Sequence, residues 1–491
     1  MSEKTLDSTT TSSKPDDPTP STHWGQRTGR NVAALAAARG AVAISTLVLT
    51  AYLTRALEPS AYGILGFGTA LLGYFTLLTR LGLDTLGTRE IARDPDQALL
   101  LAGRITGMKL VLGTIAYALF LSVVLALPKP TIFRLVLIVQ GLAVFAHALS
   151  VDWVYQGIER MGILAVRNVA TALVHLGAVL LLVHAPEDVL WAAAAGVGAL
   201  FALNLWLLIT LTRDFGRLDL SFDLEAWRTL LPPALPIAGS VFMIAIYYNL
   251  DQVILGLFRD ETEVGWYAAG CRAMSAALLP SLVFGQAFFP ALSSAFGDIE
   301  AMRERASAFA ASMIPVGLPI GIGMALLAQP LLVLFAGEDY APGGPALAVL
   351  MLNAALVYFN MVYGQSLLAW NYQRTYMLAV GTGAVINLIL NFILIPRYGP
   401  IGAAIATFAA QSGAFVWVWI AHRRITGSAY GGVFVRALAA TLLAVVVPIL
   451  LGQHLAVPLI PLLLAVAVLY GGLAWVMGLV PRALLDGLRP A

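Results

Sequence analysis

Cys271 is the only cysteine in the chain, so an intramolecular disulfide and a cysteine-based metal site are both excluded. Histidines are few, and none cluster at spacings suited to zinc. No Walker A sequence occurs among the loops, which speaks against ATP hydrolysis. Charge is scarce as well: Asp, Glu, Lys and Arg make up 11% of the residues, and lysine is rare beside arginine. The net charge of +2 comes from basic residues scattered over loops, which gives no footing for nucleic acid. The short alternating segments of a transmembrane barrel are absent too.

What the chain has in excess is apolar sequence. Of 491 residues 59% are hydrophobic, and the mean hydropathy is +0.83. Apolar runs of roughly 20 residues, enough to cross a bilayer as a helix, recur along nearly the whole length. The expected fold is an all-α polytopic membrane protein of about 14 transmembrane helices: two pseudo-symmetric six-helix halves plus two C-terminal helices. The candidate spans are 32–54, 61–83, 104–127, 131–154, 161–184, 188–212, 229–257, 264–296, 307–336, 343–370, 374–396, 400–422, 432–452 and 457–479.

Organisation follows from those spans. Residues 1–25 are rich in Ser, Thr, Asp and Pro with no apolar run, and read as a disordered cytoplasmic tail. Residues 26–212 form the N-terminal half, 213–228 a cytoplasmic linker and 229–424 the C-terminal half. Residues 425–491 hold two further spans and a short cytoplasmic end. With both termini cytoplasmic, the inside segments carry Arg89, Arg93, Arg160, Arg213, Arg217, Arg228, Arg303, Arg305, Arg374, Arg423, Arg424, Arg482 and Arg489. The outside loops keep only Arg55, Lys129, Arg134, Arg259 and Arg397, so the positive-inside rule sets the orientation in a cell inner membrane.

An internal echo supports the two halves. Arg55 to Leu71 reads RALEPSAYGILGFGTAL, and Arg259 to Met274 reads RDETEVGWYAAGCRAM. Each is an outside turn with an acidic residue, then glycine and tyrosine, then a small-residue helix. The two lie six spans apart, which places both turns on one side and implies parallel halves about an axis along the membrane normal.

Several stretches carry a family pattern. LPIAGS, YYNLDQVILGLF, EVGWYAAGCRAMS and FFPALSSAF follow one another between residues 229 and 296. YLTRALEPSAYGILGF with LLTRLGLDTLGTREIARD, then VDWVYQGIERMGILAVRN, then NFILIPRYGPIGAAIAT extend the pattern from span 1 to span 12. Together these resemble the lipid-linked oligosaccharide flippases of polysaccharide and O-antigen biosynthesis. That family sits in the superfamily that also holds multidrug extruders and the lipid II flippases of peptidoglycan synthesis. The resemblance implies a non-enzymatic flippase moving an undecaprenyl-diphosphate-linked oligosaccharide to the outer leaflet by alternating access. Its implied partners are that glycolipid, the membrane lipids, and a polysaccharide polymerase or glycosyltransferases. No cofactor is called for, and coupling to a proton or sodium gradient is left open.

The candidate substrate-binding residues are the polar ones inside apolar sequence, because charges at such depth face a partner or a wet cavity. Asn249 and Asp251 lie in span 7 and Arg272 in span 8, at similar distances from the turn between them; Asp251 and Arg272 read as an intramembrane pair or as groups with separate roles. Arg39 in span 1 is either an arginine reaching the inner headgroups or a cationic group lining an inward cavity. Asn353 and Asn360 share one face of span 10, suited to helix contacts or to sugar hydroxyls. Gate or structural candidates are Arg80 and Asp84, spaced as a local salt bridge, Asp152 at the inner end of span 4, and Pro232 and Pro236. Those prolines crowd span 7 and mark a bending point.

Two rival readings share the fold: a lipid II flippase and a cation-coupled multidrug exporter. The second usually has an acid in its first helix, where this chain has Arg39. A membrane glycosyltransferase would need a sizeable outside loop with catalytic residues, and the outside loops here are a few residues long.

Overall fold

The computed structural model describes residues 21–455 and 457–479, with side chains described except at 21–37, 240, 243–248 and 453. The expected N-terminal tail therefore lies outside the described residues over 1–20, and helix begins at Ser21. All regular structure among the described residues is helical. The N-terminal part holds α1 (Ser21–Arg80), α2 (Leu83–Arg93), α3 (Ala98–Ala126), α4 (Thr131–Gly141), α5 (Ala143–Ala148), α6 (Asp152–Gly157), α7 (Met161–Leu182) and α8 (Val189–Phe215). The C-terminal part holds α9 (Leu224–Phe258), α10 (Glu261–Ala277), α11 (Leu279–Ser294), α12 (Ile299–Leu326), α13 (Ala328–Ala336), α14 (Gly344–Ala369) and α15 (Gln373–Thr426). α16 (Gly431–Thr441), α17 (Val447–His454) and α18 (Leu459–Val476) complete it.

Among the described residues, 11 helical segments are long and apolar enough to cross a membrane. Their outward faces carry large apolar side chains in the open, Leu181, Val468 and Val476 among them. A water-soluble surface would not tolerate that continuous exposure, and lipid does.

Two of the longest helices fold back on themselves. In α1 the backbone leaves the helix at Glu58 (φ 60°, ψ 167°), just before Pro59. Proline has no amide to donate and pushes the preceding residue out of the α region. Thr50 and Tyr62, which a straight helix would hold roughly 18 Å apart along its axis, line the same cavity. In α15 the break falls at Gly399 (φ 54°, ψ −131°) before Pro400. Asn387 Nδ2 donates to Thr407 Oγ1 at 3.5 Å across it. On a straight helix those residues would stand about 30 Å apart.

Other boundaries differ from the sequence reading. Span 4 is divided into α4, α5 and α6. The ninth apolar segment begins at Ile299 rather than 307, because the Asp298 side chain accepts from the amides of Glu300 and Ala301 and caps a helix there. α9 runs as one helix through Pro232, Pro233 and Pro236.

One buried core joins the two parts of the chain: Leu57, Tyr62 and Phe67 of α1 pack with Val264 and Tyr267 of α10 and Leu347 of α14. A second lies around α2, α3 and α6, with Leu83, Ile105 and Trp153, and a third around α12, α14 and α15, with Phe309, Tyr358 and Trp370.

Candidate functional site

The fold-back of α1 makes one wall of a cavity of about 540 Å³. On the first arm Thr46, Leu49, Thr50 and Leu53 point into it, and on the second Thr69, Leu72, Gly73 and Thr76. Spacings of three and four put each set on a single helix face. Gln140, His147, Thr171 and His175 line it from α4, α5 and α7. α9 and α10 reach in from the C-terminal part with Gln252, Ala268 and Arg272. The lining includes hydroxyls, amides and imidazoles, and its charged group is Arg272. Such a surface can hydrogen-bond sugar hydroxyls along its walls and meet an anion at the guanidinium.

Arg272 and Asp251 are not partners. No ion pair joins them among the described residues. Asp251 is buried and accepts hydrogen bonds from the Tyr267 hydroxyl and, at 2.8 Å, from the Gln252 amide. The reason is rotational. Five residues along a helix turn a side chain by roughly 140°, so Tyr267 faces Asp251 while Arg272 turns to the cavity. Of the two alternatives the sequence leaves open, the ion pair is not formed: Asp251 and Arg272 have separate surroundings.

The other candidates are spread more widely. Arg39 is exposed and donates to Gln286 Oε1 on α11, away from the cavity lining. The Asn249 amide approaches Gly73, at the cavity wall. Asn353 is buried on α14 and donates to Met274 Sδ at 3.6 Å, and Asn360 is half-buried on the same helix. Neither lines the cavity.

Where α1 ends lies a charged cluster only partly legible in sequence. Arg80 closes α1 and bonds Asp84, the second residue of α2, across the break at Leu81 (φ 41°) and Gly82 (φ 74°). The pair therefore spans a turn rather than one continuous helix. Lys109 of α3 joins it, its Nζ 2.9 Å from Asp84 Oδ1 and 3.0 Å from the Ser150 carbonyl. Burial pushes the Asp84 carboxyl up, but Lys109 and Arg80 together outweigh that and hold it below the ordinary carboxylate range. Asp152 Oδ2 forms an ion pair with Arg167 Nη1 at 3.3 Å, and Arg167 also donates to Asn204. Asn204 Nδ2 in turn donates to the Ala146 carbonyl at 2.7 Å.

Sequence reasoning missed His147, His175, Lys109 and Arg167. Lys109 had a signal, a lone ammonium in the apolar run of α3; the threonines of α1 had none beyond their spacing. No group of histidine, cysteine and carboxylate residues that could hold a metal ion occurs among the described residues.

A family model described as "Polysaccharide biosynthesis protein" matches residues 28–296. A protein of Shigella dysenteriae named "Putative O-antigen transporter" is 24% identical over 391 residues, covering 77% of this chain and 95% of that protein. "Probable low-salt glycan biosynthesis flippase Agl15" of Haloferax volcanii is 27% identical over 164 residues, 33% of this chain and 34% of that one. Among solved structures, a lipid II flippase in an inward closed conformation superposes with a TM-score of 0.71 at 14% identity, covering 92% of this chain and 99% of that one. An inward-facing multidrug transporter superposes with a TM-score of 0.59 at 17% identity, covering 79% and 96%.

Proposed function

This chain belongs to the polysaccharide biosynthesis protein family of the multidrug, oligosaccharidyl-lipid and polysaccharide exporter superfamily, and from that premise we propose that it flips an undecaprenyl-diphosphate-linked oligosaccharide from the inner to the outer leaflet. Moving lipid-linked sugar is the function the family supports, and that function is transport rather than catalysis.

The observation that carries the finer reading is the cavity with Arg272 at its wall and hydroxyls around it. A diphosphate cannot cross hydrocarbon uncompensated, because an isolated buried ion costs many kcal/mol. Arg272 meets the diphosphate, the threonines and amides meet the sugars, and the polyprenyl tail stays in lipid. Arg39 receives the head group first from the inner side. Asn249 near the cavity wall, and Asn353 and Asn360 of α14, extend the polar surface in other states of the cycle. Asp152, Arg80 and Asp84 hold the inner end.

In this reading the 11 apolar segments, the two fold-backs and α9 together make 14 crossings. Six belong to each half, two more follow, and both termini are cytoplasmic. Pro232 and Pro236 let α9 bend as the halves rock. A polymerase or glycosyltransferase supplies or consumes the glycolipid, and an ion gradient drives the cycle.

The test is flipping in reconstituted vesicles. Undecaprenyl-diphosphate oligosaccharide should become accessible on the far leaflet only when the protein is present. Lipid II, run alongside, should move more slowly. Equal or faster lipid II movement would transfer the assignment to peptidoglycan synthesis. Proton and sodium gradients, imposed separately, should reveal the coupling ion by which one accelerates flipping.

A further inference from the structure

Where α1 and α10 meet beside their turns, two glycines leave no room for any other residue. A Cβ added at Gly63 would sit 1.8 Å from the Glu261 carbonyl oxygen and 2.8 Å from the Gly265 nitrogen. One added at Gly265 would sit 1.9 Å from the Pro59 carbonyl oxygen, and one at Gly66 would sit 2.9 Å from Ala268 Cβ. The same sequence interval separates Pro59 from Glu261, Gly63 from Gly265, and Gly66 from Ala268. Each glycine contact is thus the image of the other, as at a two-fold interface in which residue i meets j and j meets i.

At Gly63 and Gly265 the obstacle is backbone, so no rotamer change can relieve it. Small residues let helices approach this closely in lipid, where packing rather than water exclusion drives association. One ion pair ties the two parts of the chain here, and two further contacts hold α10 within its own part. Lys129 Nζ lies 2.9 Å from Glu261 Oε1, and Arg259 Nε donates to Glu263 Oε2 at 2.8 Å. Trp266 Nε1 donates to the Asp339 carbonyl at 2.8 Å. On the same helices Tyr62, Ala268 and Arg272 line the cavity.

We propose that Gly63 and Gly265 form the seal that closes the cavity on the side of these turns. It is a reciprocal backbone latch that must part for the head group to leave, and it closes only with glycine at both positions. Calling that side the outer one rests on the flippase reading above. When the latch parts, Lys129 and Glu261 regain water, so their separation costs little.

The experiment uses the full chain with Cys271→Ser and a reporter Thr50→Cys on the cavity wall. A membrane-impermeant maleimide is applied from the outer face of oriented vesicles. Labelling should be slow in the parent and at least fivefold faster in Gly63→Ala and in Gly265→Ala. Gly198→Ala, where an added Cβ meets open space, should leave it unchanged. Unchanged labelling in folded Gly63→Ala and Gly265→Ala overturns the latch. Should those variants fail to fold, Lys129→Cys with Glu261→Cys decides. Bridging them with a short reducible cross-linker should stop transport, and reduction should restore it; transport that continues while bridged overturns the proposal. If the glycine variants open the cavity but the parent flips no lipid-linked oligosaccharide, the latch stands and the substrate reading falls.

Discussion

Lys109 Nζ lies 2.9 Å from Asp84 Oδ1, and the lysine side chain has no exposed surface. A buried ion pair of this kind adds little net stability, yet losing one partner strands the other charge away from water. Asp84→Ala, which leaves the buried Lys109 ammonium with the Ser150 carbonyl, should therefore destabilise the folded protein by about 3–5 kcal/mol. Lys109→Met combined with Asp84→Asn should recover much of the loss. Thermal unfolding in detergent measures both, and a single variant that melts with the parent would refute the stranded-charge account.

The same pair gives a pH dependence. The folded-state pKa of Asp84 lies below its unfolded value, held there by Lys109 and Arg80 against burial. Its contribution is present above the unfolded pKa and is lost as pH falls through the folded one. The melting temperature should fall with acidification below the ordinary carboxylate range, and Asp84→Asn should flatten that slope. An identical slope in both proteins counts against it.

Asp251 bonds Tyr267 while Arg272 faces the cavity. A double-mutant cycle on Asp251→Ala and Arg272→Ala should be additive within about 0.5 kcal/mol. Asp251→Ala with Tyr267→Phe should instead show coupling above that. Strong coupling of the first pair, read from folded protein level and flipping rate, would restore a direct interaction.

On the proposed route, transport should depend on Arg272 at the cavity wall and on Arg39. Arg272→Gln should slow flipping at least tenfold, a loss of about 1.4 kcal/mol in transition-state stabilisation, and Arg272→Lys should keep part of the rate. Arg39→Lys should likewise retain partial transport, and Arg39→Gln should nearly abolish it at unchanged protein level. Gln286→Ala, which removes only the contact Arg39 makes here, should cost less. Normal flipping by Arg39→Gln would leave that arginine a headgroup anchor.

Topology is testable at exposed turn positions. Ser60, Asp260 and Glu338 are exposed at the turns and suit reporters. In a Cys271→Ser background, cysteines there should label from outside, and one at Asp96 only from the cytoplasm. The reverse pattern would invert the assigned orientation.

The sequence alone determined that this is a helical membrane protein, because a mean hydropathy of +0.83 leaves no other solvent for its surface. It also marked the fold-backs of α1 and α15, as the gaps between spans 32–54 and 61–83 and between 374–396 and 400–422, because the apolar runs stop there. The Arg80–Asp84 pair was readable from its four-residue spacing, although a turn rather than a continuous helix brings the partners together.

What only the tertiary structure decided was which way each polar side chain faces. Depth follows from counting residues, but rotation about a helix axis follows from packing against neighbours far away in sequence. Asp251 and Arg272 share a depth and still face different partners. Lys109 reaches Asp84 from another helix, and Gly63 meets Gly265 across the interface between α1 and α10. A single sequence carries no local trace of such meetings, because the free energy that selects them comes from the closed packing of the whole bundle.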